Sequence, residues 1–439
     1  MTAELTALGL FLTGLVLCIV SGAHLLYALL FGMVCFSIYS IYKGNSLKST
    51  CLMLKEGMAK ITNILLIFLF IGSLTASWRI CGTIPFILRH SIRFIQPRFF
   101  VLCTFLLCSV MSFLTGTSFG TFSTMGVICM LIGRTAGVSP LLLGGAILSG
   151  SYFGDRCSPM SSSAQLVCSV TKTDIYSNIR HMMRSALVPF LLSCVLYTLF
   201  AGSHITPPDT SSAALFEEYF SLHWSVCLPA VLILLLSLLH VKVLWAMSAS
   251  VLTAVFLAIF LQGAAPAELL VSLYQGYHAP EGSELAAVLN GGGISSMVHA
   301  GIIVLISSSY SGIFSHTPLL APVKRILESQ SLRLGAFGTT TLAALLSCAV
   351  SCNQSLGTIL TCQLCQDLYS RREDLALALE DTAIVLAALI PWGIAGAVPL
   401  VTLGAPMASM AMSFYLWLIP VWRLVWELWH IKRARYQNT

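Results

Sequence analysis

The chain has 439 residues, of which 57% are hydrophobic and 9% are charged, and its formal net charge is +6. Soluble globular proteins carry roughly 25% charged residues, so this composition excludes that class. Apolar runs of about twenty residues, separated by short polar segments, predict an all-α polytopic membrane protein.

The apolar stretches predict the membrane-spanning helices in chain order. The first stretch contains Glu4, but it has neither a basic segment before it nor a small-residue cleavage site, so we interpret it as a helix and not as a signal peptide. With further apolar regions that are interrupted, about 10–13 membrane segments are expected. The uninterrupted spans are predicted at 5–20, 23–42, 60–80, 99–115, 183–203, 222–239, 241–262, 294–312, 334–351 and 405–425.

The basic residues and the cysteines predict no additional functional site. The basic residues lie mostly at the ends of predicted helices, which suits membrane topology and predicts no nucleic-acid partner. Most of the 15 cysteines lie in apolar runs, where they act as small buried hydrophobes. Cys362 and Cys365 form a C-x-x-C motif, but a structural zinc site needs four ligands and no second pair accompanies them.

The two halves of the chain follow the same plan. An apolar span from Leu54 corresponds to one from Leu289, and a basic apolar segment follows each. Each half then has an apolar helix interrupted by small polar residues, CSVMSFLTGTSFGTFSTMG in the first and LLSCAVSCNQSLGTILTCQ in the second. Matched features in one order favour an internal repeat. Repeats with interrupted helices at corresponding positions indicate a secondary transporter whose site lies at the repeat interface.

This plan divides the chain into five regions. They are N-terminal transmembrane helices (1–45), a first repeat (46–203), a connecting region with transmembrane helices (204–285), a second repeat (286–404), and a C-terminal helix with a basic tail (405–439).

Acidic residues inside apolar runs are the first candidates for the site, and they are Asp155, Glu380 and Asp381. An acidic side chain at the bilayer centre costs about 2.5–3.5 kcal/mol, and such residues are usually functional. The alternatives for Asp155 are an ion pair with Arg156 or a contact with a capped helix end, although adjacent residues do not face each other on a helix. The alternative for Glu380 is a helix cap or first-turn acid.

Small polar residues at the interrupted helices are the second set of candidates. In TGTSFGTFST, Gly116 and Gly120 permit local unwinding, and hydroxyls with freed carbonyls are oxygen ligands suited to Na⁺. Close helix packing through small residues is the alternative, but the corresponding segment with Asn353 and Gln354 favours a site. His299 could sense pH or carry protons, although a structural histidine is the simpler interpretation.

Three segments resemble the signature regions of the NhaC family of Na⁺/H⁺ antiporters, and they are TGTSFGTFSTMG, AILSGSYFGDRCSPMSSSAQL and LEDTAIVLAALIPWGIAGA. The whole resemblance spans residues 50–405. The resemblance implies two inverted structural repeats, whose broken helices and re-entrant hairpins meet at a central ion site. It also implies secondary active Na⁺/H⁺ antiport in the cell (inner) membrane through membrane-embedded carboxylates. No cofactor is expected beyond Na⁺ and H⁺ as transported or coupling ions, and a homodimer is compatible with the sequence.

Together, the residue patterns and the resemblance predict one site. Na⁺ is expected at Thr117, Ser118, Asp155 and Asp381, and Gly120, Pro159 and Pro391 are expected to support the broken helices. The residues predicted to bind the ion or substrate are Thr115, Gly116, Thr117, Ser118, Asp155, Ser158, Ser161, Ser162, Asn353, Gln354, Glu380 and Asp381.

The chain departs from the family pattern at two positions. Ser162 and Asn353 stand where the family tends to carry acids, which implies a less negative site. The alternative function is therefore Na⁺- or H⁺-coupled transport or exchange of a small organic acid or amino acid. An intramembrane enzyme is not predicted, because the sequence shows neither a His-x-x-x-His motif nor an acid pair outside the repeat plan.

Overall fold

The computed structural model of the chain describes residues 2–21, 25–59, 61–91, 97–201, 219–239, 241–279, 289–319 and 321–437. These residues are folded almost entirely into α-helices, so the predicted all-α class is confirmed. Two parts of the predicted connecting region, 204–218 and 280–285, lie outside the described residues, as do the side chains of the basic tail from residue 428 onward. The division into five regions stays a prediction.

The first half contains two interrupted helices. A break separates α6 from α7, a π-helical turn (Phe122–Gly126) joins α7 to α8, and a second break separates α9 from α10. The helices are α1 (Thr2–Val20), α2 (Leu25–Tyr42), α3 (Leu47–Ala59), α4 (Thr62–Ile80), α5 (Thr83–Ser91), α6 (Pro97–Thr115), α7 (Ser118–Thr121), α8 (Val127–Thr135), α9 (Pro140–Cys157), α10 (Ser162–Thr171) and α11 (Ile175–Ala201).

The second half also contains interrupted helices, between α17 and α18 and again between α20 and α21. Its helices are α12 (Leu228–Leu238), α13 (Val243–Phe260), α14 (Pro266–Gln275), α15 (Ile294–Ser309), α16 (Ser311–His316), α17 (Ala321–Ser351, kinked at Gly335), α18 (Gln354–Cys365), α19 (Arg372–Asp381), α20 (Ala383–Leu386), α21 (Ile394–Leu403) and α22 (Phe414–Gln437).

The count of about 10–13 membrane segments stays a prediction, although each of the ten predicted uninterrupted spans coincides with helices. Those long and apolar enough to cross a membrane on their own lie at 175–201, 243–260, 294–314 and 334–351, and shorter apolar helices lie at 3–15, 26–42, 65–80, 99–115 and 224–236. The last predicted span begins later than expected, at Phe414 instead of residue 405. Gly404 ends α21 in the left-handed conformation (φ +61°), and a 3₁₀ turn (Met407–Met410) precedes α22.

The breaks after α6 and α17 have the same local structure. Gly116 (φ +67°) and Cys352 (φ +55°) adopt the left-handed conformation that stops a helix. Thr117 and Asn353 follow in extended conformation, and each side chain accepts a hydrogen bond from the backbone N–H three residues on, at 3.3 and 3.2 Å. Each break is therefore a helix stop followed by an N-cap, which explains the short polar residues at both positions.

Glycines bring α9 close to α6. A Cβ atom added at Gly150 would lie 2.6 Å from the carbonyl oxygen of Phe105, and one added at Gly154 would overlap the backbone of Ser112. Small residues at such contacts let helix backbones approach closely in membranes. This contact fixes the C-terminal end of α9, which carries Asp155, inside the helix bundle.

Candidate ion-binding site

Asp155 lies in the last turn of α9 and is 3% exposed. The helix ends at Cys157, and the break that follows carries the polypeptide into α10. Gly116, in the break after α6, packs directly on this second break, because a Cβ atom there would lie 2.5 Å from the carbonyl carbon of Met160. The carboxylate therefore lies where two interrupted helices of the first half meet.

Neutral groups from both halves of the chain surround the Asp155 carboxylate. Ser163 Oγ donates to Oδ2 at 3.0 Å, and Gln354 Nε2 donates to the same oxygen at 3.2 Å. Ser161 Oγ donates to Oδ1 at 3.3 Å, and the hydroxyl of Ser118 also interacts with the carboxylate. Since Gln354 begins α18 and Ser118 begins α7, the breaks after α6 and α17 meet at this one acid.

No basic side chain pairs with Asp155 among the residues that the structure describes. Its neighbour Arg156 is directed towards Asp381 instead, so the local ion pair considered from the sequence does not form. A buried carboxylate held only by neutral donors keeps its charge uncompensated. Such a position favours a proton or a bound cation.

Arg156 and Asp381 form an ion pair in which both side chains are fully buried. Arg156 also donates from Nη2 to Ser185 Oγ at 2.7 Å and from Nε to the carbonyl oxygen of Glu380 at 3.2 Å. Ser185 Oγ donates in turn to Asp381 Oδ1 at 3.1 Å. This network connects α9, α11 and α19. Removing one partner of the ion pair would leave an unpaired buried charge, which is strongly unfavourable, so the network holds these helices together.

A second arginine, Arg423 on α22, lies 3.7 Å from Asp381 Oδ2 through its Nη1. Asp381 is thus neutralised by arginines, whereas Asp155 is not. The predicted role of Asp381 as a Na⁺ ligand stays a prediction, and in this arrangement its charge is already compensated.

Glu380 is fully buried beside this network. Neither of its side-chain oxygens has a hydrogen-bond partner among the described residues. The charges of Arg156, Asp155 and Asp381 all act on its carboxyl group. A buried carboxylate without hydrogen bonds is stable when it is protonated or when a cation neutralises it, so Glu380 is a second group able to carry a proton.

The remaining predicted residues build the breaks. Thr115 Oγ1 donates to the carbonyl oxygen of Met111, and Ser158 Oγ accepts from the N–H of Met160. Gly120 packs against the Thr117 side chain, where a Cβ atom would lie 2.6 Å from Cγ2. Pro159 and Pro391 lie in the breaks that precede α10 and α21.

The structure does not bring every predicted residue to Asp155. Ser162 is exposed, and its neighbour Ser163 reaches the carboxylate instead. Ser163 follows the predicted residues Ser161 and Ser162 in the sequence, but the turn that starts α10 decides which serine faces inward. Tyr152, not predicted, is buried one turn before Asp155 and donates to the carbonyl oxygen of Ala395 on α21 at 2.8 Å.

His299 and the C-x-x-C motif, both considered from the sequence, lie outside this site. His299 is on an exposed part of α15. Cys362 and Cys365 are buried on α18. In the described part of the chain, no group of three or more His, Cys, Asp or Glu side chains is placed to hold a metal ion. A Na⁺ site built mainly from hydroxyl and carbonyl oxygens needs no such group.

Interrupted helices that meet around a buried acid in a polytopic membrane protein are features of secondary transporters. The sequence profile described as the Na⁺/H⁺ antiporter family matches this chain over residues 2–164 and 150–423. The chain belongs to the Na⁺/H⁺ antiporter family, which confirms the resemblance seen in its motifs.

Relatives of this chain have several names. It is 27% identical to the Na⁺/H⁺ antiporter NhaC of Alkalihalophilus pseudofirmus, over 81% of this chain and 79% of the relative. It is also 27% identical to the malate-2H⁺/Na⁺-lactate antiporter of Bacillus subtilis, over 81% and 78%. It is 28% identical to the arginine/ornithine antiporter ArcD of Halobacterium salinarum, over 80% and 75%. These relatives are transporters and not enzymes, which supports the same class for this chain.

Proposed function

We propose that the protein is a secondary active antiporter that exchanges Na⁺ for H⁺, with Asp155 binding the two cations in alternation. The environment of Asp155 carries this proposal, since a buried carboxylate held by neutral groups has a charge that a cation can neutralise. Relatives named as Na⁺/H⁺ antiporters support it.

The hydroxyl groups around Asp155 suit both states of the exchange. A serine hydroxyl can donate to a carboxylate or turn and present its lone pairs to a cation. When Na⁺ binds, Ser118, Ser161 and Ser163 can therefore complete an oxygen shell that begins with the carboxylate. When a proton binds instead, the neutral acid keeps hydrogen bonds to the same groups.

Glu380 is proposed as the second proton-carrying acid. Glu380 is buried, its carboxyl oxygens have no hydrogen-bond partner among the described residues, and the charge of Asp155 acts on it. A change of charge at Asp155 is therefore felt at Glu380 in a medium that screens poorly. Arg156 already compensates the charge of Asp381, so Asp381 would become a Na⁺ ligand only if Arg156 moved away. While the Arg156–Asp381 pair is formed, we therefore assign Na⁺ to Asp155.

The second candidate function is Na⁺- or H⁺-coupled exchange of a small organic acid or amino acid. Relatives named as malate/lactate and arginine/ornithine antiporters favour it. In that case Asp155 would bind the coupling ion alone. For either function we infer a cell (inner) membrane location, no organic cofactor, and a homodimer as the assembly to test.

The two functions are distinguished by transport in proteoliposomes that contain the purified chain and a pH-sensitive dye. An inward Na⁺ gradient should drive protons out and raise the internal pH, and an equal K⁺ gradient should not. Uptake of labelled L-malate, L-lactate, L-arginine and L-ornithine should be measured in parallel under a pH gradient. Movement of an organic solute without any Na⁺-driven proton flux would overturn the first function in favour of the second.

A further inference from the structure

A polar cavity of about 280 Å³ lies between α4, α8, α15 and α21. It shares no lining residue with the Asp155 site. Two arginines, Arg79 and Arg134, line it, and none of the described residues that line it is acidic. We refer to this space as the arginine cavity.

Arg79 projects from the end of α4. Its Nη1 donates to the carbonyl oxygen of Thr75 in its own helix, at 2.8 Å, while its buried Nε has no partner among the described residues. Gly292 packs on the guanidinium, because a Cβ atom there would lie 2.8 Å from Nη1. Arg79 thus carries a charge and unused donor capacity within a confined space.

Arg134 is the more exposed of the two arginines and caps the end of α21. Its Nη2 donates to the carbonyl oxygens of Leu403 and Gly404, at 3.2 and 2.6 Å. Its charge also acts on Arg79. Like charges in one cavity repel each other when no counter-charge lies between them. No acidic side chain among the described lining residues supplies a negative charge between Arg79 and Arg134.

Thr402 supplies an independent indication of a ligand. It lines the same cavity, is 7% exposed, and its Oγ1 has no hydrogen-bond partner among the described residues. A buried hydroxyl without a partner is unfavourable. The cavity therefore combines two positive charges with unused polar atoms on Arg79 and Thr402.

We propose that the arginine cavity binds a small organic carboxylate. Guanidinium groups match the paired oxygens of a carboxylate and bind them through two parallel hydrogen bonds. The remaining wall includes Val127, Met130 and Val401, which suit the hydrocarbon part of an organic anion better than an inorganic one. The volume restricts the ligand to a small molecule.

The arginine cavity and the Asp155 site lie at opposite ends of one helix. Tyr152 binds the carbonyl oxygen of Ala395 near the start of α21, whereas Arg134 binds carbonyl oxygens at its end. Ten residues of α-helix span about 15 Å. Carboxylate binding at the arginine cavity does not depend on the proposed cation exchange, but α21 provides a physical connection between the two sites.

The experiment measures binding to the purified full chain in detergent, by calorimetry and by thermal unfolding, with potassium L-malate, potassium L-lactate and potassium phosphate as probes. Potassium chloride at equal ionic strength controls for screening. We expect saturable binding of malate, weaker binding of lactate, and no saturable effect of chloride. Arg79→Gln should weaken malate binding about tenfold or more, because it removes the guanidinium group that would donate two hydrogen bonds to a carboxylate.

Arg184→Gln, on the exposed face of α11, is the matched control and should bind malate as the wild type does. Thr402→Val should weaken binding without removing charge, which covers the case in which an arginine variant folds poorly. Asp155→Asn should keep malate binding, so this variant distinguishes a failure of the proposed cation exchange from a failure of carboxylate binding at the arginine cavity. Absence of saturable carboxylate binding, tighter binding of phosphate than of malate, or unchanged binding by Arg79→Gln would overturn the assignment.

Discussion

Gln354 donates a hydrogen bond from Nε2 to the Asp155 carboxylate, at 3.2 Å, although 199 positions separate the two residues in the sequence. The same Nε2 donates to the carbonyl oxygen of Ile384 at 3.1 Å. One amide therefore connects the start of α18 with α9 and α20. Any movement of α18 relative to α9 therefore changes the surroundings of the Asp155 carboxylate, which groups from both halves contact.

Removal of this amide should weaken cation binding. Gln354→Ala takes away a donor that stabilises the ionised carboxylate and positions it, and a hydrogen bond to a charged group contributes about 1.5–3 kcal/mol. The Na⁺ concentration that half-saturates transport should rise by roughly tenfold. Gln363→Ala, at an exposed position of the same helix, should leave it unchanged. Equal values for both variants would show that Gln354 does not act on the site.

Neighbouring serines provide a test of the register of α10. Ser163 contacts Asp155 while Ser162 is exposed. Ser163→Ala should therefore raise the half-saturating Na⁺ concentration several-fold, and Ser162→Ala should not. The measurement is Na⁺-dependent proton flux in proteoliposomes. A larger effect at Ser162 than at Ser163 would contradict the observed start of this helix.

Glu380→Gln should alter proton coupling more than Na⁺ binding. The amide keeps the shape of the side chain but cannot release a proton, so the dependence of transport rate on pH should flatten. Glu373→Gln, at an exposed position in the first turn of the same helix, is the matched control. If the pH profile of Glu380→Gln coincides with that of the wild type, Glu380 does not carry the transported proton.

Arg156→Gln should destabilise the fold, because Asp381 loses its fully buried partner. Loss of one member of a buried pair typically costs about 3–5 kcal/mol. Thermal unfolding in detergent should show a clear loss for Arg156→Gln and partial recovery when Asp381→Asn is added, since the double variant leaves less uncompensated charge. Arg184→Gln should unfold as the wild type does. Wild-type stability of Arg156→Gln would show that the pair is not structural.

Much of the fold was predictable, because burial in a bilayer demands long apolar helices. The breaks after α6 and α17 were predictable from short polar residues, and their helix-stop and N-cap geometry at Thr117 and Asn353 is a local property. The late start of α22 was not predicted, because the residues after Gly404 are apolar enough to continue a span.

The site was predictable as a set of residues but not as a set of contacts. Asp155 was identified because charge inside an apolar run is unfavourable, which is a property of the sequence. The pairing of Arg156 with Asp381 joins residues 225 positions apart, and it forms because the fold brings the C-terminal ends of α9 and α19 together. Likewise, the choice of Ser163 over Ser162 depends on the turn at which α10 begins.

Uptake of ²²Na⁺ by proteoliposomes that contain Asp155→Asn tests the central role of Asp155 most directly. Asparagine preserves the shape of the side chain but carries no charge, so the variant should fold and unfold like the wild type. Its proton-driven Na⁺ uptake should fall to the level of empty vesicles. Asp174→Asn, at an exposed helix start where asparagine can replace the cap, should transport normally. Wild-type uptake by folded Asp155→Asn would contradict the assignment of Na⁺ to this carboxylate.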